Sequence, residues 1–269
     1  MTTDPDAAKL DKRHLKEQAS YPSLSGKRVF VTGGGSGIGA AIVEAFARQG
    51  AVVAFVDIAG DASSELANRL ESGGAARPWH RRVDVADVSA LQQAITDAAR
   101  EIGDFHILVN NVASDDRHSL RDVTPEYWDQ RMAINQRPAF FAIQSVVPGM
   151  QRLGGGSIVN LGSTGWQNKS GGYPAYATAK SSVNGLTRGL AHELGESRIR
   201  INVVSPGWVM TGRQMALWLD AAGEAELQRN QCLPDRLWPD DVAAMVLFLA
   251  SDQARAVTAQ EFIVDAGWT

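Results

Sequence analysis

A run of glycines sits where a β-branched segment gives way to a helical one: Thr32-Gly33-Gly34-Gly35-Ser36-Gly37-Ile38-Gly39. Before it, Arg28–Gly33 reads as a strand; after it, Ile38–Gln49 carries apolar residues at helical spacing. Glycines at such a junction permit a tight turn and let backbone amides approach an anion at the helix N-terminus. The junction also limits the fold, because a helix that follows a buried strand must cross back over a sheet.

The alternation continues along the chain. Ala51–Val56, Trp79–Val83, Phe105–Val109, Ser157–Leu161, Arg200–Val204 and Glu261–Val264 read as strands. Between them Ser63–Glu71, Val88–Glu101, Tyr176–Glu196 and Asp240–Ala250 read as helices, with one long helix over about Pro125–Met150 adjusted at Pro138. Phe105–Val109 is continuously apolar, as a strand buried on both faces should be. These features predict an α/β chain: a single-domain, doubly wound Rossmann fold over residues 26–269 with a mostly parallel seven-stranded sheet. Residues 1–25 read as an extension carrying a short helix near Ala7–Ala19. Val209–Leu237 breaks the rhythm, is rich in Met, Trp, Arg and Gln, and reads as a helical lid.

Composition removes several functions. The net charge of −4 offers nothing to condense onto a polyphosphate, so no nucleic-acid partner is expected. Cys232 is the only cysteine, which excludes an intrachain disulfide and a cysteine metal cluster. His118 has no second histidine at ligand spacing, so no metal is expected. The polar N-terminus lacks the apolar core of a signal peptide, and no segment reaches the roughly 20 apolar residues of a membrane span. A cytoplasmic location is the expectation.

Asp57 ends the second strand, eighteen residues after Gly39. A carboxylate there accepts hydrogen bonds from adenosine ribose hydroxyls and repels a 2′-phosphate. No Arg or Lys lies in the glycine turn or next to Asp57 along the chain, so NAD is expected over NADP. Asp84-Val85 and Asn110-Asn111 close the third and fourth strands, at the sheet edge where open α/β folds hold ligands. Each pair, taken alone, reads more readily as loop capping than as a ligand site; together they line one edge of the sheet.

Tyr176-Ala177-Thr178-Ala179-Lys180 places a phenol and an ammonium one helical turn apart. The ammonium favours the phenolate, and a depression of several pKa units needs roughly 1.4 kcal/mol for each. The pair then suits general acid–base work. In isolation the same spacing is common on solvated helix faces.

Taken in order, Thr32–Gly39, Asn110-Asn111, Asn135, Ser163, Tyr176/Lys180 and Ser205-Pro206-Gly207 resemble the short-chain dehydrogenase/reductase family from about Gly26 to the C-terminus. The resemblance implies that Ser163 hydrogen-bonds the substrate oxygen, that Tyr176 exchanges its proton, and that Lys180 holds the nicotinamide ribose and tunes Tyr176. It implies that Asn135 anchors a relay water through its helix. It places the cofactor against Gly33, Ser36, Gly37, Ile38, Gly39, Asp57, Asp84, Val85, Asn110, Tyr176, Lys180, Pro206, Gly207, Val209 and Thr211. It also implies a homotetramer built on the Tyr176–Glu196 and C-terminal helices. One departure is Asn110-Asn111-Val112-Ala113, where the family has Asn-Asn-Ala-Gly.

Within the family the chain resembles bacterial sugar dehydrogenases of the D-xylose 1-dehydrogenase type. Tyr21–Leu24, Asp115–His118, Gly162-Ser163 with Trp166, Gln231–Leu233 and Asp265–Trp268 carry this likeness. It implies oxidation of a free aldose at the anomeric carbon to a lactone. Candidate substrate residues are Asn111, Asp115, Trp166, Asn168, Trp208, Arg213 and Gln214, with Gln167 beside them. Asp115–His118 reads equally as a solvated loop, and Trp208 and Trp218 equally as lid packing. Two rivals stand beside this reading: a reductase of a keto acid, acyl thioester or steroid-like ketone, and a regulator that senses NAD without turnover. The retained Tyr, Lys, Ser and Asn speak against the regulator.

Overall fold

Seven parallel strands in the order β3-β2-β1-β4-β5-β6-β7 form the body of the molecule. The structure, a computed structural model, describes residues 19–269. The helix expected near Ala7–Ala19 lies, but for its last residue, outside them. In chain order the elements are β1 (Arg28–Thr32), α1 (Gly37–Arg48), β2 (Val52–Asp57), α2 (Gly60–Ser72), β3 (Trp79–Arg82) and α3 (Val88–Ile102). Next come β4 (Ile107–Asn110), α4 (Pro125–Asn135), α5 (Arg137–Arg152), β5 (Gly156–Leu161), α6 (Pro174–Glu196) and β6 (Ile199–Pro206). The chain ends with α7 (Gly212–Trp218), α8 (Ala221–Asn230), α9 (Pro239–Ala250) and β7 (Glu261–Val264).

Strand residues alternate between two buried layers, which is why these segments read as unbroken apolar runs. Val29 and Val31 join Ile42 and Phe46 of α1 and Val246 of α9 on one face. Phe30 between them joins Leu91 and Ile95 of α3 and Val146 and Met150 of α5 on the other. Leu24, in the segment read as an extension, is buried in the first layer, and the Tyr21 amide donates to Gln49 Oε1 at 2.7 Å. The packed fold therefore begins several residues before Gly26.

The chain runs from β1 outward to β2 and β3, then returns to pair β4 with the other side of β1. Helices on either side of that reversal leave opposite faces of the sheet, so a crevice opens at the strand C-termini. The glycine turn and Asn110-Asn111 both end there.

The single long helix expected over 125–150 is two helices. Gln136 leaves helical geometry (φ −129°, ψ −55°), and its amide closes α4 on Met132 O at 3.1 Å. Pro138 explains the break: it has no N–H for the carbonyl of Ile134, and its ring would collide with that carbonyl. Asn135 thereby becomes the last residue of α4. The lid segment forms α7 and α8, and a parallel bridge between Val209 and Leu237 closes its neck. No helix among the described residues is long and apolar enough to cross a membrane.

Candidate active site

The crevice widens into a cleft of about 1080 Å³ bordered by the glycine turn, the loops after β3, β4, β5 and β6, and the lid. At its floor the first helix starts without a side-chain cap: Ser36 precedes α1 in extended conformation and makes no cap hydrogen bond. The N-termini of α3, α4, α7 and α8 are capped by Asp or Thr side chains, whereas α2, α5 and α6, like α1, start without one. The uncapped start of α1 lies under the glycine turn, where its amides can meet an anion.

The turn above them has no room for side chains. A Cβ on Gly39 would fall 1.7 Å from Gly33 O, and one on Gly33 would fall 2.8 Å from Val112 Cγ2. Gly37 adopts φ +54°. Asn111 holds the turn by donating Nδ2 to Thr32 O and Gly33 O (3.2 and 3.0 Å). Asp57 braces it from β2, accepting from the amides of Gly35 at 2.8 Å and Ala59 at 2.9 Å. An uncapped helix start, a turn stripped of Cβ atoms and a carboxylate at the strand end fit a dinucleotide. Ser36, Ile38, Gly39, Asp84, Val85, Pro206, Gly207, Val209 and Thr211 border the same cleft. Gly37 stands behind the floor, facing Thr211 at the lid neck. Sheet pairing adds one group the linear sequence did not show: Arg82 is the β3 partner of Asp57, and its side chain lies beside Gly60.

Tyr176 enters from the first turn of α6, which starts at Pro174 rather than at Tyr176. Ser163 follows β5 in extended conformation; its Oγ accepts the Gly165 amide at 3.1 Å, which leaves its hydrogen for Tyr176. Burial pushes the Tyr176 phenol up to about 12, while the Ser163 hydrogen bond and the charge of Arg117 pull the other way. The Tyr173 ring meets the Tyr176 ring edge-on at 5.4 Å. One turn along α6, Lys180 is buried, its Nζ lying 6.0 Å from the Tyr176 ring centre and donating to Leu161 O at 2.7 Å. Burial brings the Lys180 ammonium down to about 8.

Two expected residues work behind the cleft. Asn135 accepts the Ser114 amide at 2.7 Å and donates to Arg131 O at 3.0 Å, so its amide is committed to the loop after β4. A small cavity between Asn135 and Lys180 is also bordered by Asn110 and Asn160. Asn110 does not reach the main cleft; it turns into the sheet layer and donates to Asn160 Oδ1 at 2.9 Å.

The substrate candidates divide. Asn111, Asp115, Asn168, Trp208, Arg213 and Gln214 border the cleft, and Trp166 does not. Trp166 is more than one-third exposed outside it. Gln167 is also outside, donating to Glu261 at 2.8 Å. Arg213 and Gln214 of α7 reach the loop after β4, Arg213 to Asp116 at 2.7 Å and Gln214 to Asp115 at 2.8 Å. Buried Arg131 also donates to Asp116, at 2.8 Å. Burial works against the Asp116 carboxylate, but hydrogen bonds from Ser114, Arg213 and Arg131 outweigh it and hold the group below its ordinary value.

Sequence reasoning missed Tyr173, Arg117 and Arg131 as site residues. Arg117 lies in the Asp115–His118 stretch that carried the sugar-dehydrogenase likeness without being singled out, and nothing in the local pattern marked Tyr173 or Arg131, since the three converge from two loops and a helix. His118 has a structural task. Its Nε2 accepts the Ala175 amide at 3.1 Å, so Nδ1 carries the hydrogen and donates to Asp116 O at 2.8 Å. That ties the loop after β4 to the start of α6. No cluster of metal-binding side chains occurs among the described residues.

Comparison with known proteins points to a family. Residues 33–269 match a family described as enoyl-(acyl carrier protein) reductase. The chain is 48% identical over 250 residues to D-xylose 1-dehydrogenase of Caulobacter vibrioides, covering 93% of this chain and 98% of that protein. It is 47% identical to a probable galactose dehydrogenase of Rhizobium meliloti over 93% of this chain and 97% of the other. A solved 7α-hydroxysteroid dehydrogenase complexed with NADH and 7-oxo glycochenodeoxycholic acid superposes with a TM-score of 0.88. Its identity is 29%, covering 93% of this chain and 96% of the other. Sequence order, sheet order and the arrangement around Tyr176 converge on one assignment: the chain belongs to the short-chain dehydrogenase/reductase family of oxidoreductases, which act on CH–OH groups.

Proposed function

We propose that the protein oxidises the anomeric hydroxyl of a free aldose, a pentose, hexose or 6-deoxyhexose, to a lactone, using NAD. The observation that carries the reading is the placement of Tyr176, Ser163 and Lys180 at one end of a cleft whose other end is the dinucleotide cradle. The similarity to xylose and galactose dehydrogenases supports a sugar as substrate. Asp57, beside the cradle, supports NAD.

When bound, the oxidised nicotinamide supplies the hydride acceptor and a positive charge beside Tyr176. Tyr176 Oη takes the proton of the C1 hydroxyl, and Ser163 donates to the same substrate oxygen as it gains carbonyl character. Lys180 holds the phenolate by charge from one helical turn away. A phenol at about 12 is a poor base at neutral pH, so Tyr176 works only in a site where cationic charge has been added. The lid and Trp208, whose Nε1 is buried without an acceptor, close the outer side of the cleft. Fixed donors and an aromatic wall suit a small polyhydroxy substrate.

The test is NADH formation by the purified protein across free aldopentoses and aldohexoses, with Tyr176→Phe as control. Turnover on one or two sugars, lost in the variant, is the expected result. No turnover on any aldose, with reduction of a ketone by NADH instead, would overturn the sugar reading.

A further inference from the structure

Among the described residues, the loop after β4 carries a guanidinium whose charge reaches Tyr176 but whose hydrogen-bond donors are unused. Arg117 lies between two rings, 4.1 Å from the centre of Tyr173 and 4.9 Å from the centre of Trp218. Tyr173 belongs to the body and Trp218 ends lid helix α7. The guanidinium is thus within cation–π reach of a ring on the body and a ring on the lid, and the exposed residue still offers its forked N–H edge. Among the described residues no ion pair and no hydrogen bond involves that edge. Its neighbours differ: Asp115 accepts from Gln214, while Asp116 accepts from Ser114, Arg131 and Arg213. Arg117 borders the same cleft as Tyr176 and Ser163.

We infer that Arg117 is a specificity-determining residue, whose guanidinium edge binds two adjacent hydroxyls of the aldose on the side away from the carbon being oxidised. The inference rests on the aldose reading and deepens it. Tyr173 contacts both the Arg117 guanidinium and the Tyr176 ring, so Arg117 is in the neighbourhood of the reacting oxygen. With the C1 oxygen taken by Tyr176 and Ser163, the hydroxyls left for Arg117 are those farther round the sugar ring. The forked donors of a guanidinium match two neighbouring oxygens, which a point-charge ammonium does not.

The group is also held in advance. The His118 amide donates to Gly172 O at 2.8 Å, and the His118 ring accepts from Ala175. Asp116 on the other side is anchored by buried Arg131. With both flanking residues fixed, the backbone that presents Arg117 has little freedom to lose when a ligand binds. The cleft suits a neutral ligand: the carboxylates Asp115, Asp116, Asp220 and Glu226 border it together with Arg131 and Arg213, so it offers acceptors and donors side by side. A hydroxyl accepts from Arg117 and can donate to those carboxylates.

The experiment measures kcat/KM for the best aldose and its mono-deoxy analogues, with wild type, Arg117→Met and Arg117→Lys. Removing a hydroxyl bound by Arg117 should cost wild type about tenfold to a hundredfold. Arg117→Met should lower the parent sugar to the deoxy level and show no further deoxy penalty at those positions. Arg117→Lys should keep the penalty at no more than one position, and all three proteins should bind NADH equally. Deoxy penalties unchanged in Arg117→Met would overturn the inference and leave Arg117 as lid packing. Preference for a uronate over its parent aldose would overturn the neutral-diol assignment. Wild type inert on every aldose would overturn the sugar reading, and this inference with it.

Discussion

Lys180 donates to the main-chain carbonyl of Leu161 across 2.7 Å, and Leu161 ends the strand that delivers Ser163. Lys180 is thus tied to the backbone two residues before Ser163. Its burial has a consequence for stability. Its native value falls to about 8 from 10.5, so between those values the unfolded chain binds a proton that the native protein does not. Stability of the ligand-free protein should therefore rise from pH 8 to pH 10, and below pH 8 holding the charge costs about 3 kcal/mol. Tyr176 is shifted upward, to about 12, and reverses the trend above its ordinary value of 10. Urea unfolding across this range should show the rise in wild type and lose it in Lys180→Met. A flat wild-type profile would mean that Lys180 titrates normally.

Tyr176→Phe removes the proposed proton-transfer group and keeps the ring against Tyr173. Turnover should fall by about 10²- to 10⁴-fold while NADH affinity stays near wild type. In wild type, kcat/KM for oxidation should climb with pH as the phenol ionises. Retention of wild-type turnover in the variant would move the base elsewhere.

The lid is latched by Arg213 to Asp116, with Gln214 to Asp115 beside it. Arg213→Ala should raise the sugar KM severalfold. It should also flatten the rise of KM with ionic strength, because an exposed ion pair is screened by salt. Asp116 titrates below its ordinary value, so the latch is present above the usual carboxylate range and is lost only as pH falls through the lowered value. Stopped-flow tryptophan fluorescence reports the lid through Trp218. Equal salt dependence in variant and wild type would show that the latch does not control access.

Asp57 braces the turn and, in the proposed complex, would meet the adenosine ribose. Asp57→Asn keeps an acceptor for the Gly35 amide and removes the charge, so the ratio of kcat/KM for NAD over NADP should drop by about tenfold or more. Combining it with Arg82→Gln tests the guanidinium that β3 brings alongside. If Arg82 assists a 2′-phosphate, NADP use should fall again in the double variant; an unchanged ratio would assign Arg82 to the surface.

Much of the site was legible along the chain because its chemistry depends on short-range spacing. Tyr176 and Lys180 share a helix face, and Thr32–Gly39 joins a strand directly to a helix. Asn110 and Asn135 were found by order, yet the structure turns both amides inward, to Asn160 and to Ser114. Trp166 was chosen for its closeness to Ser163 in sequence, and the short turn at Thr164–Trp166 carries it out of the cleft. Arg117 was hidden in a loop whose meaning depends on Tyr173 and Trp218, far away along the chain.

What the sequence by itself determined is the alternation of buried strands and amphipathic helices, the cradle turn, and the phenol–ammonium pair. Periodicity and steric rules acting over a few residues are enough to specify these. What only the tertiary structure decided is which groups meet: Arg82 beside Asp57, Arg213 on Asp116, Arg117 between two rings, and the break at Gln136. Strand order and lid docking bring together residues tens of positions apart, and no local pattern encodes the distance between them.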